Sequence, residues 1–510
     1  MMSETSRRFC CMLLLLSAVF FWRRIGATTV SAASCSAGDV QNALNRATDG
    51  DIVTIPAGAC AWTTQVVWTA PANVTVRGAG NALLGGGDQT IITDNYVSDG
   101  PILSITTSVS GTFRMTGLTF RGGSTGGQVK WNGMVMIGGK SRNLRVDHVH
   151  FNMQAYSPPN SGAALRFVGR IYGVVDHSLF DLSGVGNGIQ IHYDDGSAGD
   201  VTWAEATGLG SDALLFVEDT TFNADSRFGA SNDCADGGKW VWRHNTLNSA
   251  MVQTHPTGGG ARGRGCRAWE VYLNAFNGSN DAPSFNAAFI SSGTGVIWGN
   301  TASAGYSNFV TLHSMRKSNS TYTQTASPNG WGYCGTAFNG LGSNLDGNTS
   351  TSTGYPCLDQ PGRGVGDLLS GAFPNVTNTA TGCAASSPCA WPRQALEPIY
   401  EWANTWAAVP GDGGSYWSVY EPTVLLQNQD YFLRASVFTG EAGTGVGTLA
   451  GRPSTCTAGV GYWATDSNTL FQCSTANTWT VYYRPYTYPH PLTQDAQAIP
   501  TAPQNVRIIR

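Results

Sequence analysis

Apolar and polar residues alternate along the chain in short bursts, and one phrase keeps returning. It reads FRMTGLTF at 113–120, LRVDHVHF at 144–151, GVVDHSLF at 173–180 and LFVEDTTF at 215–222. It comes back as WVWRHNTL at 240–247, WEVYLNAF at 269–276 and, weaker, GVIWGNTA at 295–302. Each copy turns polar around Asp, His or Asn, and most close on Phe or Leu. Period-2 alternation rich in Val, Ile, Phe and Thr predicts strands, not helices. The closing residues Phe120, Phe151, Phe180, Phe222, Leu247 and Phe276 are 31, 29, 42, 25 and 29 residues apart. A strand-and-turn unit repeated at such variable spacing predicts a solenoid of β-coils with loops of unequal length.

Upstream, CSAGDVQNALNRATDGDIVTIPAGAC (35–60) predicts a short helix capped near Asp39, with Val40, Ala43 and Leu44 on its apolar side. The strands IVTIP and NVTVRGAG follow. This opening resembles the pectate-lyase-like superfamily, in which a short helix plugs the first coil. The resemblance implies an all-β fold, a single-stranded right-handed parallel β-helix with an N-terminal capping helix; the Gly, Ser, Thr, Asn and Pro content of 325–395, with its four cysteines, predicts a loop-rich, disulfide-pinned C-terminal extension. The coils are expected over 35–310 and the extension over 311–510. The segment 461–491 and GYPCLDQPGRG (354–364) resemble parts of a group of secreted bacterial β-helix proteins. That likeness bears on fold and location, not on chemistry.

Composition fits this picture. Glycine supplies 64 of 510 residues, as many tight turns require, and only 12% of residues are charged. So low a charge argues against a nucleic-acid partner. Residues 1–34 have the form of an export signal: Arg7 and Arg8, an apolar run from Phe9 to Trp22, then small residues with cleavage expected near Ala32 or Ala33. The Arg7–Arg8 pair also permits twin-arginine export. The run is too short to span a bilayer, so no integral membrane segment is expected after its removal. Ten cysteines then remain, an even number that suits disulfides in an exported chain. Local pairing gives Cys35–Cys60, Cys234–Cys266, Cys334–Cys357, Cys383–Cys389 and Cys456–Cys473.

The polar positions His148, His177, Asp219, Asn245, Asn274 and Asn300 read as a structural ladder, with a one-residue uncertainty of register between the first three and the rest. Chemistry is expected where the phrase is interrupted, because long loops on rigid scaffolds carry sites. HYDDGSAGD (192–200) supplies Asp194 and Asp195, which with Asp233 could hold calcium; the alternative is a solvated turn. The loop HPTGGGARGRGCR (255–267) supplies His255, Arg262, Arg264 and Arg267, with Lys239 and Arg243 one coil earlier. A basic groove suits an acidic polysaccharide; salt bridging between coils is the competing reading. The leading expectation is therefore a secreted or periplasmic polysaccharide lyase acting on a uronate-containing glycan. Lyases of the resembling families use an Arg or Lys base, with calcium or another basic group neutralising the sugar carboxylate. The expected catalytic set is Lys239, Arg243, His255 and Arg267. Arg262, Arg264, Trp242 and Trp269 are expected to bind substrate. No lyase motif matches residue by residue. A non-catalytic glycan-binding or cell-surface structural protein is the alternative, and a glycoside hydrolase a more distant one.

Overall fold

The structure is a computed structural model that describes residues 27–157, 159–160, 162–182, 186–193, 199–225, 229–256, 264–278, 284–314, 359–364, 396–407, 415–422 and 425–494. It is a right-handed parallel β-helix. The first wall is a 12-stranded parallel sheet from Thr29–Ser31 to Tyr431–Phe432. The second has ten strands, from Gly58–Trp62 to Thr405–Trp406. The third runs through six strands, Val66–Thr69 to Ala230–Ala235, and a further four, Val252–Thr254 to Ser415–Val419. Strands at Ile399–Trp402, Thr405–Trp406 and Ser415–Val419 thus carry the coils into the stretch expected to be extension.

Helix α1 (Ala37–Arg46) caps the column and buries Val40, Ala43 and Leu44; its N-cap is Ser36, which accepts from Asp39 N, not Asp39 itself. Thr29–Ser31 pairs with Ile52–Thr54. The cleavage expected near Ala32 or Ala33 would remove this strand. The disulfides Cys35–Cys60, Cys234–Cys266 and Cys456–Cys473 form as expected. The other two pairs lie outside the described residues.

The recurring phrase is the corner between the first and second walls. In LRVDHVHF, Leu144–Asp147 lies in one wall and His150–Asn152 in the other. The residue at the bend has a left-handed backbone: Gly117, His148, His177, Asp219, His244, Leu273, Gly299 and Ala403 all have φ between 46° and 68°. The next residue points inward along a polar column, Ser178, Thr220, Asn245, Asn274, Asn300 and Asn404. Asn245 N donates to Asn274 Oδ1 at 3.0 Å, Asn274 N to Asn300 Oδ1 at 3.0 Å, and Asn300 N to Asn404 Oδ1 at 3.0 Å. His148, His177 and Asp219 therefore belong to the bend, not to the ladder, which settles the register. The closing aromatics stack inside, with Phe120, Phe151, Phe180 and Phe222 centred 5.3, 4.9 and 4.8 Å apart.

A four-stranded module, Thr444–Gly447 to Thr478–Tyr483, covers the outside of the first wall at its later coils. Trp463, Leu470 and Tyr483 pack with Tyr400, Trp402 and Phe432. Buried carboxylates hold it down. Glu218 pairs with Arg243 at 2.6 Å and accepts from His490 N at 2.7 Å. Glu270 accepts from Tyr483 Oη at 2.8 Å and Gly210 N at 2.6 Å, and burial pushes its carboxyl up to about 7.

Two outcomes follow from these contacts. Leu273 is 41% exposed and sits in the left-handed region, where glycine is unstrained. Leu273→Gly is expected to raise stability by roughly 0.5–1 kcal/mol in denaturant unfolding. Glu270 binds its proton more tightly folded than unfolded, so its contribution is full below pH 4.5 and is lost as pH rises to about 7. Glu270→Gln should therefore remove up to about 3 kcal/mol of stability loss across that window, read as a flatter pH dependence of unfolding.

Candidate functional site

The third wall carries the candidate site on its outer face. Met136, Arg166, Gln190 and Asp233 stand in register on four successive strands, because parallel pairing stacks equivalent positions. Val168, His192 and Ala235 form the row beside them. Of these, Arg166, Gln190, Asp233, His192 and Ala235, together with Trp131, Asn187, Asp236, His255, Pro256 and Arg264, line a depression of about 370 Å³.

Two imidazoles in this groove have fixed orientations. His255 Nδ1 lies 2.9 Å from Pro256 O. A carbonyl only accepts, so Nδ1 carries a hydrogen. The His255 backbone is pinned as well: its N donates to Cys234 O at 2.8 Å, and its O accepts from Ser292 Oγ at 2.7 Å. The Cys234–Cys266 disulfide ties the strand Ala230–Ala235 to the residues just before Ala268–Tyr272. His192 Nδ1 lies 2.9 Å from Asp236 Oδ2, and its shielded Nε2 has no hydrogen-bond partner among the described residues. Asp233 Oδ1 accepts from Cys234 N at 2.9 Å. Arg166 brings positive charge to the groove while its Nη1 donates to Trp131 O and Asn132 Oδ1.

The other expected site residues are dispersed. Arg264 edges the groove, but its guanidinium is held by Asp359 at 2.7 and 2.6 Å. Arg267 is fully buried beside Glu397 at 2.7 Å and lies over Trp203 of the short helix α2 (Asp200–Trp203). Lys239 Nζ is buried and donates to Ala206 O at 2.8 Å; burial, then Arg267, pushes its pKa down to about 8. Neither Lys239 nor Arg267 lines the groove. Arg243 is on a different wall, beneath the C-terminal module, where it bonds Tyr486 O and Thr487 O. Alternation turns Trp242 and Trp269 into the core, fully buried, so neither ring is open to a sugar. Arg262, Asp194 and Asp195 lie outside the described residues.

Calcium needs several oxygen ligands. Among the described residues, Asp233 alone of the expected trio is in the groove, and no group of three His, Cys, Asp or Glu is placed to hold a metal. The described residues do not by themselves form a calcium site. Among them, no helix is long and apolar enough to cross a membrane.

The motif at 354–364 has a mechanical role in its described part. Asp359 clamps Arg264, while Gln360 and Arg363 reach Asp430 at 3.3 and 2.8 Å. Sequence reasoning missed Trp131, Arg166, Asn187 and Gln190 altogether. His192 lies in the segment 192–200 singled out above, and Asp236 lies three residues after Asp233. Their signal is positional: each stands beside or on a third-wall strand, outside the recurring phrase.

No family model matches the chain, and no curated protein matches it. Solved structures similar to it include an alginate lyase from Paenibacillus sp. str. FPU-7, 16% identical over 54% of this chain and 95% of that one, with a TM-score of 0.32. A mutant of the PL6 family alginate lyase AlyGC is 14% identical over 56% of this chain and 40% of that one, with a TM-score of 0.31. ORF18 of Geobacillus virus E2 is 11% identical over 56% and 54%, with a TM-score of 0.25. Likenesses at this level carry no argument about activity.

Losing Asp359 would remove the bidentate partner of buried Arg264, and breaking a buried pair costs up to about 3–5 kcal/mol. Asp359→Ala is expected to lower the unfolding midpoint accordingly, whereas a surface carboxylate such as Asp466 changed to Ala should shift it little.

Proposed function

We propose that the protein is an exported polysaccharide lyase that cleaves an acidic, uronate-containing glycan by β-elimination. The observation that carries this reading is His255, a ring held through Nδ1 by Pro256 O that lines a groove together with Arg166 and an exposed tryptophan. In the proposed reaction His255 takes the proton from the carbon that bears the sugar carboxylate. The electron pair forms a carbon–carbon double bond as the neighbouring glycosidic C–O bond breaks. Protonated His255 then returns that proton to the leaving oxygen on the adjacent carbon. Arg166 faces the sugar carboxylate. The three disulfides support export to an oxidising compartment.

One observation favours a non-catalytic glycan-binding protein instead. Lys239, Arg243, Arg264 and Arg267, the basic groups expected to serve the chemistry, all have internal partners.

The test is incubation with pectate, alginate and glycosaminoglycans, with and without calcium, following ultraviolet absorbance from unsaturated products. Absorbance growth on one of these polymers supports the lyase; none on any of them refutes it. On the polymer that reacts, His255→Ala should lower kcat by about 10²–10⁴. Its melting temperature should hold, since among the described residues the side chain bonds only its neighbour's carbonyl.

A further inference from the structure

Trp131 is the one tryptophan among the described residues that is more than half exposed, at 54%. It also lines the groove, where an open indole can meet a ligand. Its loop is not loose. The adjacent Lys130 is fully buried and paired with buried Asp94 at 3.2 Å, and its Nζ also donates to Tyr96 O and Gly100 O. Asp94 is held in turn by Tyr156 Oη at 2.7 Å. Lys130 N donates to Asn160 Oδ1, and Trp131 O accepts from Arg166 Nη1 at 3.1 Å. A buried ion pair on one side and an arginine on the other thus fix the backbone that displays an open indole.

The solenoid sets the distance from this ring to the imidazoles. Trp131 leads into the strand Val135–Gly139, His192 ends Asn187–His192 two coils on, and His255 follows Val252–Thr254 two coils further. Coils rise about 4.8 Å each, so Trp131 stands about 10 Å from His192 and about 19 Å from His255 along the axis. The coil rise is close to the length of one pyranose unit in an extended chain.

We infer that Trp131 is a sugar-stacking platform at one end of the groove, and that the glycan lies along the solenoid axis with one sugar unit per coil. This rests on the groove being a glycan site. An indole face packs against the apolar face of a pyranose ring, and Arg166, on the next coil, would meet the carboxylate of the adjoining unit. Trp131 is a positioning residue: it binds a unit two to four positions from the bond that breaks, so it governs affinity for longer chains.

The experiment compares the full-length protein with Trp131→Ala and Trp131→Phe, using calorimetric binding of uronate oligosaccharides of two to six units and turnover of the polymer. Trp131→Ala should weaken binding of chains of four or more units about tenfold and leave the dimer unchanged. It should raise KM on polymer without lowering kcat, and Trp131→Phe should restore most of the affinity. Equal affinity of wild type and Trp131→Ala for every length overturns the inference, as does a loss that Phe fails to rescue. The two readings fail separately. Trp131-dependent binding without unsaturated products keeps the platform and removes the lyase, whereas cleavage with unchanged KM in Trp131→Ala keeps the lyase and removes the platform.

Discussion

The rest of the molecule depends on the polar column behind the bends. Where the first wall turns into the second, strand pairing is interrupted and backbone amides would be left unpaired inside the column. Each is met by a side-chain oxygen from the next coil: Val149 N by Ser178, Thr220 N by Asn245, Asn245 N by Asn274, Asn274 N by Asn300. The amide nitrogens of Asn245, Asn274 and Asn300 then bond carbonyls of the first wall, Val217, Trp242 and Val271. A buried network is stabilising only if it is satisfied throughout. Here satisfaction is possible only in one register, so the column sets the stacking of all three walls.

That fixed register is what makes the groove a defined object. Once coils stack at a constant rise, Arg166, Gln190 and Asp233 stand above one another, and His192 and His255 fall at set heights beside them. The bend side of the coil is committed to structure. The outside of the first wall is covered at its later coils by the C-terminal module. Among the described residues, the third wall carries the depression lined by Arg166, Gln190, Asp233, His192 and His255.

The fold was legible because its determinants repeat. The closing Phe residues and the alternation mark the coils, and Val40, Ala43 and Leu44 mark the cap. The register of the ladder was legible only to within one residue, because a single left-handed residue precedes the inward one and His, Asp and Leu all fill that place here. The site was less legible. Lys239, Arg243, His255 and Arg267 are near one another in sequence, but successive strands belong to different walls and alternate residues to different faces. Only His255 of the four opens on the groove. The contribution of Trp131 was hidden because it comes from a loop two to four coils away, joined to the histidines by stacking and not by sequence.

The most direct measurement is a crystal structure of the protein soaked with an acidic oligosaccharide of four to six units. The account predicts one chain along the solenoid axis on the third wall, with a ring on the Trp131 indole and a carboxylate facing Arg166. His255 Nε2 should lie within hydrogen-bonding reach of a carbon that bears a carboxylate. A chain bound across the first wall near Lys239, or running along the strands and not across them, would contradict it.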